Sequence, residues 1–149
     1  MDGPTRVRQG EISSRPGADP PLVLIVDDHV DSAAMAADIL SFAGCWTVVV
    51  DSVDAALAEV QRERPDVVVT DIQMPIRPGI DLIDTLQASQ MTRGIPIVAC
   101  TGRTDVFGRW LDEHHLRAIA KPYSPRELVD AVRDAMGWSL RADSSEAEG

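Results

Sequence analysis

The sequence predicts an α/β fold in which a doubly wound, five-stranded parallel sheet carries helices on both faces. Five short apolar runs are mostly continuous rather than alternating in polarity, and segments with helical periodicity separate them. Continuous runs are typical of strands covered on both faces, and parallel strands need crossovers, usually helices. Of the 149 residues, 44% are hydrophobic but only 4% are aromatic, which favours a core of small aliphatic side chains in one domain.

The predicted strands are short segments rich in aliphatic residues. They are Leu22–Val26, Trp46–Val50, Val67–Thr70, Ile95–Cys100 and Ala118–Ala120. The last is the weakest of the five, because Ile119 is its only strong strand former.

The predicted helices fill the gaps between the strands. The first runs from Asp31 to Ala43 and stops at Gly44, a typical helix terminator. The last begins with a capping box of Ser124 and Glu127 and is ended by a glycine. Apolar spacing predicts three more helices, one around a stripe from Val53 to Val60 and two with weaker patterns, Ile80–Met91 and Asp105–His114.

Composition at the two ends predicts a disordered arm over residues 1–20, a folded domain over 21–138 and a short acidic tail over 139–149. The net charge of -10 and the scattered Lys and Arg argue against nucleic acid as a partner.

No apolar stretch approaches the roughly 20 residues of a membrane span, and no signal peptide is recognisable, so we expect no membrane insertion and a cytoplasmic location. Cys45 and Cys100 lie in apolar contexts, which predicts packing rather than a disulfide or a zinc site.

Polar side chains follow four of the predicted strands at their carboxyl ends: Asp27 and Asp28, Asp71, Thr101 and Lys121. Ligands of doubly wound folds bind at that edge of the sheet. Each residue alone is unremarkable, but their convergence predicts a site. Neighbouring carboxylates repel one another, and Mg²⁺ relieves the repulsion. Mg²⁺ and an ammonium together would accommodate a phosphoryl group, with a carboxylate as the nucleophile that forms an acyl phosphate.

These motifs make the chain recognisable. It resembles the receiver domain of two-component response regulators in the acidic pair of LIVDDH, the block VVVTDIQMPIRPGIDL, the CTG after strand four and the AKPY after strand five. The resemblance covers about residues 21–138. It implies a flavodoxin-like sheet with strand order 2-1-3-4-5.

The resemblance also implies a metal site. Asp28 corresponds to a direct Mg²⁺ ligand, and Asp27 supports the metal through water. Asp71 is implied as both phosphoacceptor and ligand, and the backbone carbonyl of Gln73 completes the protein ligands.

Two further residues correspond to the family's switch. Thr101 corresponds to the hydroxyl that moves to the phosphoryl group, and Lys121 to the lysine that pairs with it, followed by a cis bond to Pro122. The family usually has an aromatic residue three positions before this lysine, where this chain has Ala118. Alanine has no ring that could couple to the threonine, so the loop after Thr101 and the fourth helix are the alternative routes for the signal.

Several residues remain open between a functional and a structural role. Gln73 and Arg103 stand where the family tunes phosphoryl lifetime; a Gln could orient a water, whereas an Arg could shield the phosphoryl group. His114 and His115 would cap the fourth helix or face solvent, with a metal site or phosphohistidine relay as the alternative. His29 would tune the site or be an exposed loop residue. Trp110 and Tyr123 suit a partner surface and core packing equally well.

Three functions remain. The first is a stand-alone signalling switch, not an enzyme, that accepts a phosphoryl group from a histidine kinase and changes its affinity for a partner protein; it would also react with small donors and dephosphorylate itself. The second is a phosphorelay intermediate or phosphate sink that uses a phosphotransfer protein. The third is an adaptor that binds partners without phosphorylation, against which the intact acidic set argues. Because about 11 residues follow the last predicted helix, we expect no DNA-binding domain in this sequence.

Overall fold

The structure is a computed structural model that describes residues 20–137, in which five strands alternate with five helices. The strands are β1 (Leu22–Val26), β2 (Trp46–Val50), β3 (Val67–Asp71), β4 (Ile97–Thr101) and β5 (Arg117–Ala120). The helices are α1 (Val30–Phe42), α2 (Val53–Arg62), α3 (Gly79–Ala88), α4 (Thr104–Glu113) and α5 (Pro125–Met136). The predicted acidic tail and all but the last residue of the predicted arm lie outside the described residues.

The strands form one parallel sheet in the order β2-β1-β3-β4-β5, which confirms the predicted fold. Alternate residues of β1 enter two different cores: Leu24 and Val26 pack with α2, α3 and α4, whereas Val23 and Ile25 pack with α1 and α5. Every residue of β1, β3 and β4 is buried. The continuous apolar runs are therefore explained by a sheet that has helices on both faces.

The first and last helices begin and end as their sequence signals predict. Gly44 follows α1 with a φ of 101°, a backbone conformation that favours glycine. At α5, Ser124 Oγ accepts a hydrogen bond from the Glu127 N–H, and Glu127 Oε1 accepts one from the Ser124 N–H. Gly137 ends α5 with a φ of 63°. These caps fix where the loops at the carboxyl edge of the sheet begin and end.

Helix α3 ends at Ala88 and not at Met91 as predicted, since two side chains take over the backbone groups there. Thr92 Oγ1 donates a hydrogen bond of 2.6 Å to the Leu86 carbonyl, and Ser89 Oγ accepts one from the Met91 N–H at 3.2 Å. Serine and threonine offer the backbone such alternatives to a helical bond.

Strand β4 begins at Ile97 and not at Ile95 as predicted. Pro96 has no N–H to give to a neighbouring strand, and the Ile95 N–H donates to the Thr92 carbonyl in a turn instead. The other predicted boundaries agree with the structure or differ from it by at most two residues, and β1 and β2 have the predicted bounds.

Candidate functional site

Two carboxylates at the carboxyl edge of the sheet are buried. Asp27 directly follows β1 and is 7% exposed, and Asp71 ends β3 and is 6% exposed. Ligand atoms of Asp27, Asp28, His29 and Asp71 all lie within 4.8 Å of one another. The structure thus brings together the three carboxylates that the sequence places at strand ends, because β1 and β3 are adjacent and parallel.

The Lys121 ammonium lies beside this acidic group. Its Nζ is 3.4 Å from Asp27 Oδ2 and 3.6 Å from Asp71 Oδ1. The Lys121 N–H donates to the Thr101 carbonyl at 2.9 Å, and the bond to Pro122 is cis, as the resemblance implies. Burial lowers the pKa of Lys121, but the charges of Asp71 and Asp27 outweigh burial and raise it. The lysine is therefore a fixed positive charge at the site.

The Asp71 carboxylate stands in an unfavourable environment for its charge. Burial is the largest effect and raises its pKa; Lys121 lowers it, and the neighbouring Asp27 and Asp28 raise it further. The net pKa of Asp71 is raised, so the single ammonium of Lys121 does not compensate for burial and the two other carboxylates. A second positive charge near Asp71, such as a bound cation, would therefore be favourable.

The donor set fits a hard divalent cation. Asp28 Oδ1 is buried and accepts no hydrogen bond among residues 20–137, although Nδ1 of the exposed His29 lies 3.5 Å from it. Asp27 Oδ1 accepts the His29 N–H at 2.9 Å. An unsatisfied buried carboxylate oxygen is costly unless a proton donor or a cation meets it. The cluster of Asp27, Asp28 and Asp71 is therefore compatible with a divalent metal site.

Thr101 ends β4 next to the acidic cluster and is fully buried. Its Oγ1 accepts a hydrogen bond from the Arg103 N–H at 2.9 Å and donates one to Gln73 Oε1 at 3.3 Å. The sequence does not predict the contact with Gln73. The pairing of β3 with β4 was the available signal, because it places the residues after Asp71 next to those after Cys100.

The loop between β3 and α3 contains an unusual backbone conformation. Ile76 has a φ of 70°, and the Arg77 N–H donates to the Pro75 carbonyl two residues back, which together define a classic γ-turn. Ile76 is 98% exposed, so its side chain gains no packing in return. The two prolines of this loop predict a stiff turn, but not a β-branched residue with positive φ, which is an outlier on steric grounds.

Gly79, the first residue of α3, lies against the backbone of the central strand. A Cβ at this position would be 2.0 Å from the Asp71 carbonyl oxygen and 3.0 Å from the Ile72 Cα. The Gly79 N–H donates to the Ile72 carbonyl at 2.8 Å and holds the two segments together. Only glycine fits this approach without moving one of them.

The aromatic residues and histidines of α4 have structural contacts. His114 is the C-cap of α4, its Nδ1 lies 2.8 Å from the Trp110 carbonyl oxygen, and its ring stacks on the Trp110 ring at 3.8 Å. His115 follows with a φ of 57°. Within residues 20–137 the group at Asp27 is the only cluster of three or more metal-ligating side chains, so the capping interpretation of His114 is favoured.

The remaining open positions also have neighbours. Trp110 and Ala118 pack against one core, and Tyr123 against the other. Burial raises the pKa of Tyr123 to about 12. Cys45 and Cys100 are both buried free thiols, as their apolar contexts predict.

Comparison with known proteins identifies the family. Residues 23–133 match the family model of the response regulator receiver domain. The chain belongs to this family. Receiver domains of two-component systems act in phosphorylation signalling and are generally phosphoacceptors rather than enzymes, which confirms the resemblance derived from the motifs.

Curated relatives of the receiver domain are longer regulators. The chain is 37% identical to the DNA-binding response regulator MtrA of Mycolicibacterium paratuberculosis over 115 residues. This alignment covers 74% of this chain and 49% of MtrA. It is 31% identical to the phosphate regulon transcriptional regulatory protein PhoB of Escherichia coli over 116 residues. This alignment covers 76% of this chain and 51% of PhoB. The chain spans about half the length of these relatives.

Solved structures share the fold. A protein described as a response regulator from Chloroflexus aurantiacus has a TM-score of 0.75 at 28% identity. The superposition covers 80% of this chain and 99% of that protein's chain. The chemotaxis response regulator CheY4 of Vibrio cholerae has a TM-score of 0.71 at 24% identity, with 78% and 98% covered, which supports the fold. Among residues 20–137, no helix has the length and hydropathy needed to cross a bilayer.

Proposed function

We propose that this receiver domain is a phosphoacceptor switch, which takes a phosphoryl group from the phosphohistidine of a histidine kinase onto Asp71 and then changes its affinity for a partner protein. The observation that carries the proposal is the environment of Asp71, a buried carboxylate with Lys121 Nζ at 3.6 Å and an acidic pair beside it. Membership in the receiver family supports it.

The proposed transfer needs positioning and charge neutralisation more than covalent help. An oxygen of the Asp71 carboxylate attacks phosphorus as the P–N bond of the donor breaks. The bonding electron pair stays on the imidazole nitrogen, which takes up a proton from solvent, and the product is an acyl phosphate on Asp71. The ammonium of Lys121 offsets negative charge on the phosphoryl oxygens during transfer. Hydrolysis reverses the state: water attacks phosphorus, and the Asp71 carboxylate leaves.

Mg²⁺ is the proposed cofactor. Asp28 and Asp71 would hold it directly, Asp27 through water, and Gln73 through its backbone carbonyl. When bound, the ion neutralises charge shared between the carboxylates and the phosphoryl oxygens. The unsatisfied Asp28 Oδ1 is the feature of this chain that supports the assignment.

A phosphorylation assay tests the central assignment. The wild type is incubated with a small acyl phosphate and Mg²⁺ and run on a phosphate-affinity gel, beside Asp71→Asn and the matched control Asp84→Asn, an exposed aspartate of α3. We expect a shifted band for the wild type and for Asp84→Asn, and none for Asp71→Asn or with excess EDTA. A shifted band that persists in Asp71→Asn would overturn the proposal.

Phosphoryl lifetime is a separate question, and Arg103 is the residue to test. Its Nε lies 3.3 Å from Asp105 Oδ1, and both side chains are exposed. Because the guanidinium is exposed and paired with Asp105, we expect a dephosphorylation time course for Arg103→Ala to match that of the wild type. A changed lifetime would support shielding of the phosphoryl group by Arg103.

Two alternative functions have observations in their favour. Ala118 lacks the ring of the usual switch, which favours both a phosphorelay intermediate or phosphate sink and an adaptor that binds partners without phosphorylation. Rapid transfer from Asp71 to a phosphotransfer protein would support the relay or sink. Absence of any shifted band in the wild type would favour the adaptor. MtrA and PhoB are named as a DNA-binding and a transcriptional regulator, but we expect no DNA contact by this acidic domain and no band shift with duplex DNA.

A further inference from the structure

We propose that Gln73 is a positioning residue that holds the Thr101 hydroxyl in its resting place, and that phosphorylation of Asp71 acts by breaking this hydrogen bond. The inference rests on the proposed function, because it takes Asp71 as the phosphoacceptor. It supplies a contact through which this chain can sense phosphorylation without a ring at position 118.

The hydrogen bonds of Thr101 define where its proton lies. A hydroxyl has one proton to donate and two lone pairs that accept. The Arg103 N–H, at 2.9 Å, occupies a lone pair of Oγ1 and leaves the proton for a different neighbour. Gln73 Oε1, at 3.3 Å, is the acceptor that the structure provides. Because Thr101 is fully buried, few other acceptors can reach its proton.

A phosphoryl group on Asp71 would compete for the same proton. Its oxygens are charged, and hydrogen bonds to charged acceptors are about twice as strong as those to a neutral amide oxygen. The Thr101 proton therefore leaves Gln73 for the phosphoryl group. Gln73 lies two residues after Asp71 and is exposed, so its released side chain can be solvated without creating a buried unsatisfied group.

The release of Thr101 has a direct consequence at α4. Arg103 is the residue before α4 and has no side-chain cap hydrogen bond, and its own N–H is held by Thr101 Oγ1. When Oγ1 moves to the phosphoryl group, the Arg103 N–H loses its acceptor and the start of α4 is free to shift. The signal thus runs from Asp71 through Thr101 to α4, with Gln73 setting the resting position.

A double-mutant cycle tests this proposal. The four proteins are the wild type, Gln73→Met, Thr101→Val and the double variant, with Gln61→Met, an exposed glutamine of α2, as the matched control. Beryllium trifluoride with Mg²⁺ serves as the phosphoryl mimic, and binding is titrated by the amide resonances of residues 101–104. Methionine keeps the length of glutamine and removes its amide oxygen.

We expect Gln73→Met to bind the mimic about 2- to 5-fold more tightly than the wild type. This is the effect of losing the neutral, partly exposed hydrogen bond from Thr101 to Gln73, which must break before Thr101 can bind the mimic. In the Thr101→Val background the same substitution should have no effect, and Gln61→Met should match the wild type. In the absence of the mimic, Thr101→Val should move the Arg103 amide resonance in the direction that the mimic moves it in the wild type.

Equal affinity in the wild type and Gln73→Met overturns the inference, and so does an equal effect of Gln73→Met in both Thr101 backgrounds. Either result leaves the proposed function intact, since the mimic still binds. If neither the wild type nor any variant binds the mimic, the proposed function fails and the inference fails with it.

Discussion

Replacement of Gly79 by alanine tests whether α3 packs as closely against the acceptor strand as the structure shows. The new Cβ would lie 2.0 Å from the Asp71 carbonyl oxygen, where real contacts of a Cβ begin near 3.0 Å. The atom it meets is backbone, so the first turn of α3 and the end of β3 must separate by about 1 Å. The Gly79 N–H to Ile72 carbonyl hydrogen bond opposes that movement.

The expected cost of Gly79→Ala follows from this clash. Overpacking of a tight site costs about 1–3 kcal/mol, and a clash between backbone segments belongs at the upper end, near 3 kcal/mol. For a domain of this size, 1 kcal/mol corresponds to roughly 4 °C in Tm, so we expect a decrease of about 12 °C. The measurement is thermal and urea unfolding followed by circular dichroism.

Gly108→Ala is the matched control in the interior of α4, where an added Cβ meets nothing within 4 Å among the described residues. Alanine is favoured over glycine in a helix by about 1 kcal/mol, so this variant should gain a few degrees in Tm. If Gly79→Ala unfolds at the temperature of the wild type while Gly108→Ala behaves as expected, the close approach of α3 to Asp71 is wrong.

Three further predictions concern charge, backbone strain and thiol burial. Burial raises the folded-state pKa of Asp71 above its unfolded value, so the charged carboxylate destabilises the fold, and does so fully above that raised pKa. Asp71→Asn should therefore be more stable than the wild type in EDTA at about pH 7. The difference in stability should decrease toward about pH 4 or on addition of Mg²⁺ to the wild type. Ile76→Asn should raise stability by about 1 kcal/mol in urea unfolding, because asparagine tolerates positive φ and the isoleucine makes no packing contribution; no gain would argue against the γ-turn. Burial raises the pKa of Cys45 to about 11 and that of Cys100 to about 12, so a thiol reagent at pH 8 should label neither until the protein unfolds, and fast labelling of either would contradict its burial.

The strands and the convergence of the site could be predicted from the sequence, because both follow from periodicity. Buried parallel strands produce continuous apolar runs, and parallel strands end at one edge, which brings Asp27, Asp71 and Lys121 together. The sequence-based prediction places the start of β4 two residues early, because hydropathy does not register the missing N–H of Pro96.

The contacts that could not be predicted depend on loop conformation. The positive φ of Ile76 and the hydrogen bond from Thr101 to Gln73 arise in segments without a repeating pattern. Gly79 shows the same limit, because a glycine before an apolar helix suggests a boundary and does not reveal that the Asp71 carbonyl lies against it. Such contacts require the relative placement of two elements, which a pattern in one element does not contain.

Asp71 ends β3 and Lys121 follows β5, and these two strands should differ in local stability. Strand β3 is central, paired on both sides, and buried along its full length, whereas β5 has four residues, pairs with β4 in the described sheet and is largely exposed. Amide protons of β3 should therefore exchange with solvent only on global unfolding, and those of β5 through smaller openings. Each such opening would carry Lys121 away while the strand of Asp71 stays intact. Exchange rates in β5 thus report how often the acceptor is left without its lysine.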